Sequence, residues 1–215
     1  MRELLDRGGV ILSANARAAR ALERRYASWH EAEGAAAWLT PQILDLHSWL
    51  AEQWQSLLLT GSEDRLLLND LQEQAAWQSI MQPEIEGRSL IEPARLASQA
   101  QQGYALLAEY GGLGRLSGTA WPSDLISEPT LFRRWAQLFQ QECARRHWLP
   151  RCELADAIAH ALRMGLIPAP AEIGWLGFDR ATPADENLRA ALSERSTRQQ
   201  TLRWDAEHAA TPLLY

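Results

Sequence analysis

Gly8-Gly9-Val10-Ile11-Leu12 is a short apolar run behind two glycines, and a long helical pattern opens only three positions further on, at Asn15. A run that is apolar at consecutive positions marks a strand buried on both faces of a parallel sheet. Strand, short loop and long helix together make the opening unit of an α/β protein. In such proteins a nucleotide's phosphates sit on the amides at that helix N-terminus. Here the loop Ser13-Ala14-Asn15 has no glycine and no lysine follows it. The unit is expected to keep its geometry, with Asn15 capping the helix, without phosphate-binding chemistry.

A period of 3.6 residues puts Ala14, Ala18, Leu22, Tyr26 and Trp29 on one face of that helix and Arg17, Arg20 and Arg24 on the other. Arg25 falls inside the apolar stripe. It is expected to pair with a buried acid or to emerge at the stripe's edge. Ala35 to Leu39 reads as a second strand, turned at Thr40-Pro41, which places Thr40 near the carboxyl edge of the sheet. Asp45 caps a helix with the stripe Leu46, Trp49, Leu50, Trp54 and Leu57. Asn69 caps a helix running to about Met81, with Leu71, Ala75 and Ile80 near one side.

Only helices are expected from Pro83 to Pro170. One buries Leu96, Ala97, Ala100, Tyr104 and Leu107 and stops at Gly111-Gly112. The next opens at Ser127 and Pro129, turns Phe132, Trp135, Leu138 and Phe139 inward, and carries Arg145-Arg146 in its last turn. A third uses Leu154, Ile158 and Leu162 and ends at Gly165. Sheet character returns with Ile173 to Phe178, a strand ending at Asp179. Thr182-Pro183-Ala184-Asp185 is a helix start, and Thr201 to Trp204 a last strand. The order βαβα, helices, βαβ predicts an α/β fold: a parallel sheet over residues 1–60 and 170–215, interrupted by an all-helical insertion over 61–169.

All 21 basic residues are arginine. Without lysine a Walker A loop, a Schiff-base lysine and a D…ExK nuclease centre are excluded. The net charge of −6 argues against a dedicated nucleic-acid-binding domain. The charge is uneven, however: Arg17, Arg20, Arg24 and Arg25 stand against Glu23, and Arg133, Arg134, Arg145, Arg146 and Arg151 against Glu142, whereas 61–92 is acidic. No apolar run spans a membrane and no signal-peptide pattern follows Met1, so a cytoplasmic location with no membrane contact is expected.

Cys143, His147, Cys152 and His160 invite a zinc reading. His160 lies eight residues past Cys152 on one helix, roughly 12 Å away at ~1.5 Å per residue, too far for one ion. No metal and no cofactor are expected, the cysteines read as core, and Asp156 with His160 reads as a surface pair at i, i+4. Ser13 lacks a GxSxG elbow, and the five histidines show no triad spacing. Asp179 holds the position of a magnesium-binding acid in a nucleotide hydrolase, but the preferred reading is a turn or N-cap acid before Thr182-Pro183. Trp121, beside Pro122, is the best candidate for an exposed stacking ring.

Ile11-Leu-Ser-Ala-Asn-Ala-Arg-Ala-Ala-Arg-Ala-Leu22, Trp38-Leu-Thr-Pro-Gln-Ile43 with a tryptophan-bearing helix, and Gly177-Phe-Asp-Arg-Ala-Thr-Pro183 together resemble a bacterial family. These are the probable DNA repair proteins of the AddB/RecB-like helicase–nuclease group, with a degenerate helicase-like N-terminal half and a PD-(D/E)XK nuclease domain near the C-terminus. The resemblance implies a P-loop, helicase-1A-like sheet with a 1B-like insertion. It puts Ser13 to Arg17, Asn15 included, where the ATP loop stands, Thr40 near the DNA-touching motif Ia, and Asp179 near the Walker B acids, of which only one is present. It implies an ATPase-inactive module that guides single-stranded or duplex DNA for a distant nuclease, or binds a helicase partner subunit. The nucleic-acid candidates are Arg17, Arg20, Arg24, Thr40, Arg133, Arg134, Arg145 and Arg146. The end at Pro212-Leu-Leu-Tyr215, soon after a strand, reads as a cut from a longer nuclease polypeptide. The rival expectation is a protein-interaction scaffold with no DNA contact and no enzymatic activity.

Overall fold

The structure, a computed structural model, describes residues 1–85, 92–117 and 128–203. Its helices are α1 (Arg2–Asp6), α2 (Ala16–Ala32), α3 (Leu46–Leu59), α4 (Asp70–Ile85), α5 (Pro93–Glu109), α6 (Glu128–Arg146), α7 (Leu154–Arg163) and α8 (Pro183–Glu194). Its strands are β1 (Val10–Ser13), β2 (Gln42–Asp45), β3 (Leu66–Leu67), β4 (Trp148–Leu149), β5 (Glu172–Leu176) and β6 (Arg198–Leu202). Two compact units are formed. Among the described residues, those of Met1–Ser56, His160–Ala181 and Arg189–Arg203 make an α/β unit, and those of Leu57–Ala159 and Thr182–Leu188 a helical one.

The α/β unit is built on a four-stranded, all-parallel sheet in the order β2-β1-β5-β6. The apolar β1 lies at its centre, paired to β2 through Ile11–Ile43 and to β5 through Ile11–Gly174. On one face Ile11, Ile43, Leu176 and Leu202 meet Leu4 and Leu5 of α1 and Ala19, Leu22 and Tyr26 of α2. Gly174 lets that face close: a Cβ there would stand 2.5 Å from Leu202 Cδ1 and 3.1 Å from Leu4 Cδ1. On the other face Trp175 carries the guanidinium of Arg189 in α8 at 4.3 Å from its ring.

Three strands of this sheet differ from expectation. Ala35 to Leu39 is not a strand: Trp38 stacks on His30, Leu39 is 89% exposed, and β2 begins beyond Pro41. An apolar run was spent on ring packing beside α2 rather than on sheet. The last strand starts at Arg198, not Thr201, because an edge strand tolerates the polar run Arg-Gln-Gln-Thr that periodicity reads as loop; Trp204 lies outside the described residues. β5 also stops at Leu176, where Gly177 takes a φ of +78° and turns the chain before Asp179.

In the helical unit α4, α5 and α6 enclose Trp77, Tyr104 and Phe139. The expected face of α4 is corrected: Leu71 is 77% exposed, while Glu73, Ala76, Trp77, Met81 and Ile85 are buried. An acid inside and a leucine outside defeat a reading by hydrophobicity alone. Leu138 of α6 likewise faces outward, with Trp135, Ala136 and Phe139 inside. A two-residue parallel ladder, Leu66 with Trp148 and Leu67 with Leu149, ties β3 to β4 where only helix was expected. The helix starts follow local chemistry. Asn69 and Gln72 exchange reciprocal side-chain to backbone bonds of 2.9 Å, as do Thr182 and Asp185 at 2.9 and 3.2 Å.

Candidate functional site

In an open parallel sheet, ligand-contacting groups gather outside the carboxyl ends of the strands, where the strand order reverses. In this sheet the chain leaves β1 for β2 on one side and returns to β5 on the other, so the reversal lies between β1 and β5. Ser13 ends β1 at this edge, and Asn15 and Asp179 belong to the loops beyond it. They are brought to one end of one sheet.

Their roles there differ. Ser13 is fully buried, and its hydroxyl donates to the Asn15 carbonyl at 2.9 Å, with the Leu44 carbonyl at 3.4 Å. It pins the turn to β2 and is not presented as a nucleophile. Asn15 is extended (φ −157°, ψ 155°), and its Oδ1 accepts the Ala18 N–H at 2.9 Å, as expected of the cap. Only Ala14 and Asn15 separate β1 from α2, and Ala14 N–H still donates to the Leu176 carbonyl. A phosphate cradle needs a loop long enough to wrap the anion with free amides. This turn is two residues long, and its cap takes up one of the helix amides.

Asp179 is exposed and makes no hydrogen bond or ion pair among the described residues. It is not the cap of α8, since Thr182 fills that position. It lines a crevice of about 550 Å³ together with Ala18 of α2, Leu176, Gly177, Phe178, Thr201, Leu202 and Arg203. The neighbouring acid at this end of the sheet is Asp45. Burial raises its pKa, but the Ser48 hydroxyl (2.7 Å) and N–H (3.1 Å) outweigh this and hold it below the ordinary aspartate value.

The arginine candidates separate into two groups. Arg17, Arg20 and Arg24 lie on the solvent face of α2, and their guanidinium groups make no ion pair or hydrogen bond among the described residues. Arg25 is half-buried and its guanidinium lies 5.2 Å from the centre of the Trp29 ring, at the edge of the apolar stripe. The arginines of α6 are occupied. Arg133 donates to the Leu116 carbonyl at 2.7 Å, and Arg134 pairs with Glu84 at 3.1 Å. Arg145 and Arg146 both pair with Glu142, whose carboxyl they hold down at about 2.

The chain matches no protein-family model and no curated protein.

Thr40 is corrected outright. It precedes β2, so it stands at the amino end of the sheet, opposite Ser13 and Asn15. The strand expected over 35–39 had placed it at the other end. Trp121 lies outside the described residues.

The cysteines belong to the core of the helical unit, where burial pushes both thiols up, Cys143 to about 12. Among the described residues no group of three histidine, cysteine or acidic side chains is placed to hold a metal ion. Asp156 does not pair as expected; it accepts from Asn187 at 2.6 Å. A second cleft of about 530 Å³ includes Glu63, Arg65, His147 and Glu153. Its groups are already matched: Arg65 grips Glu63, which it holds at about 2, and Tyr104 donates to Glu153 at 2.6 Å. Among the described residues no helix is long and apolar enough to cross a membrane.

Proposed function

We propose that the α/β unit is a helicase-1A-like core of the P-loop type that has lost ATPase chemistry, and that it holds DNA by its phosphates as the N-terminal module of a DNA repair or recombination nuclease. The observation that carries this reading is the free arginine face of α2, Arg17, Arg20 and Arg24, on the helix that begins at the ligand-binding edge of the sheet. The two-residue turn and the absent lysine support the loss of ATP chemistry. Arginines without internal partners are available to release counterions from a phosphate backbone; paired ones must first break an ion pair. DNA contact is therefore assigned to α2 and not to Arg133, Arg134, Arg145 or Arg146. The remainder of a longer nuclease or a helicase subunit is the proposed partner, in a cytoplasmic setting.

The rival reading, a protein-interaction scaffold, draws on the net charge of −6 and on the internal neutralisation of α6. Titration with a single-stranded oligonucleotide of about 20 nucleotides at low and physiological salt separates the two. Weak, salt-sensitive binding is expected. Replacing Arg17, Arg20 and Arg24 together by alanine should lower the log–log salt slope by about 2, at ~0.7 per phosphate contact. Replacing the four α6 arginines should leave the slope unchanged. No binding even at low salt would make the scaffold the better reading.

A further inference from the structure

We propose that the crevice at the carboxyl ends of β5 and β6 is a pocket for one guanine base, held beside the strand whose phosphates lie along α2. The choice of a nucleic-acid ligand rests on the reading above; the geometry of the pocket does not. At about 550 Å³ the crevice is within the range of small-molecule sites and adjoins the point where the strand order reverses. Leu176, Phe178 and Leu202 give it apolar wall, which suits the face of a planar ring. Asp179, Thr201 and Arg203 supply its polar groups, all three on exposed residues.

The carboxylate decides which ring fits. Asp179 has no partner among the described residues, and Thr182 and Asp185 cap the helix beyond it, so the fold makes no demand on this charge. An ionised carboxylate only accepts hydrogen bonds. Guanine alone sets two parallel donors side by side, N1–H and the N2 amino group. Adenine and cytosine place a ring acceptor next to their amino group, and thymine flanks its N3–H with two carbonyls. Each of those would turn a lone pair toward the carboxylate. Arg203 stands at the same crevice for an adjoining phosphate, and Arg17 is the residue next to Ala18, which lines the crevice. The two mark a path from the pocket to the arginine face of α2.

Titrating the whole chain with dGMP, dAMP, dCMP and dTMP at physiological salt tests this, read from the backbone amide resonances of Gly177, Asp179 and Thr201. All four carry the same phosphate, so differences among them report the base. dGMP should shift these resonances and bind about tenfold tighter than the other three, as expected for one bidentate match. Asp179→Asn presents one acceptor and one donor, a pair that each of the four bases can match, so the variant should bind dGMP no tighter than the other three. A merely structural role for Asp179 would not erase the guanine preference. Equal shifts from all four nucleotides, no shifts, or a guanine preference kept by Asp179→Asn overturns the pocket. The oligonucleotide titration with the α2 variants stands apart, so failure of the pocket and failure of DNA holding are distinguishable.

Discussion

Trp77→Ala should destabilise the helical unit by about 3–5 kcal/mol, the range for truncating a fully buried large aromatic. Trp77 is fully buried between α5 and α6. Its ring stacks on Phe139 with centroids 4.4 Å apart and meets Tyr104 edge-on at 5.6 Å, and Tyr104 meets Phe139 at 5.2 Å. The three rings form one closed contact set, so removing Trp77 takes away dispersion contacts on two sides and leaves the others facing a void. Trp77→Phe separates ring packing from hydrogen bonding. The Trp77 indole N–H is buried without a partner among the described residues, so phenylalanine loses volume but also removes an orphaned donor. Its cost should be no more than about 1.5 kcal/mol, as for a swap that keeps most of the volume. Urea unfolding followed by far-UV circular dichroism gives both values. Equal losses for the two variants would show that the aromatic cluster is not what holds this unit.

How far such a core can be read in advance depends on whether its determinants are local. Asn15, Asp45, Asn69 and Thr182 were legible as caps because each satisfies an amide within three residues. The buried strand Val10–Leu12 and the stripe from Leu46 to Leu57 were legible from apolar spacing, because the residues so spaced are the buried ones: Ile11, Leu12, Leu46, Trp49, Leu50, Trp54 and Leu57. The face of α4 was not, because Glu73 is inside through bonds to Gln101 and Arg151, which are 28 and 78 residues away. β6 was placed late because edge strands need no apolar pattern. The candidate interface divides in the same way. The exposed arginines of α2 follow from helical period, and Glu142 is an i, i+3 and i, i+4 partner of Arg145 and Arg146. The bonds of Arg133 to Leu116 and of Arg134 to Glu84 cross 17 and 50 residues, and no spacing rule announces them. Thr40 was misplaced by the error in β2 alone, since shifting that strand past Pro41 moves the residue to the other end of the sheet.

Glu73→Ala should cost the same unit roughly 2–4 kcal/mol, from lost packing and from stranded donors at Arg151 N–H and Gln101 Nε2. Glu73 is 4% exposed, and its carboxylate accepts from these two at 2.6 and 3.1 Å. Burial pushes its pKa up; the Arg151 amide, the Gln101 amide and the Arg151 charge pull it down without cancelling the rise, to which Asp70 adds. Glu153 is raised too, by burial and by Asp156, against the Tyr104 hydroxyl and the Arg65 charge.

A raised folded-state pKa means that the protonated carboxyl favours the fold. That contribution is fully present below the unfolded value, near ~4.3, and is lost as pH rises through the folded one. Glu63 and Glu142, held at about 2 by arginines, act oppositely: their contribution is present above the unfolded value and fades as pH falls toward about 2. The unit should therefore be most stable in mild acid and weaken on either side. Glu73→Gln keeps an acceptor for the Arg151 amide while removing the buried charge, so it should stay within about 1 kcal/mol of the parent at neutral pH. It should also gain less than the parent on mild acidification, with the strong-acid limb left as it was. Urea midpoints across that range read both limbs at once. A Glu73→Gln curve that rises on acidification as steeply as the parent's would show that this carboxylate is ionised at no cost to the fold, and that its two donors, not its burial, set its charge.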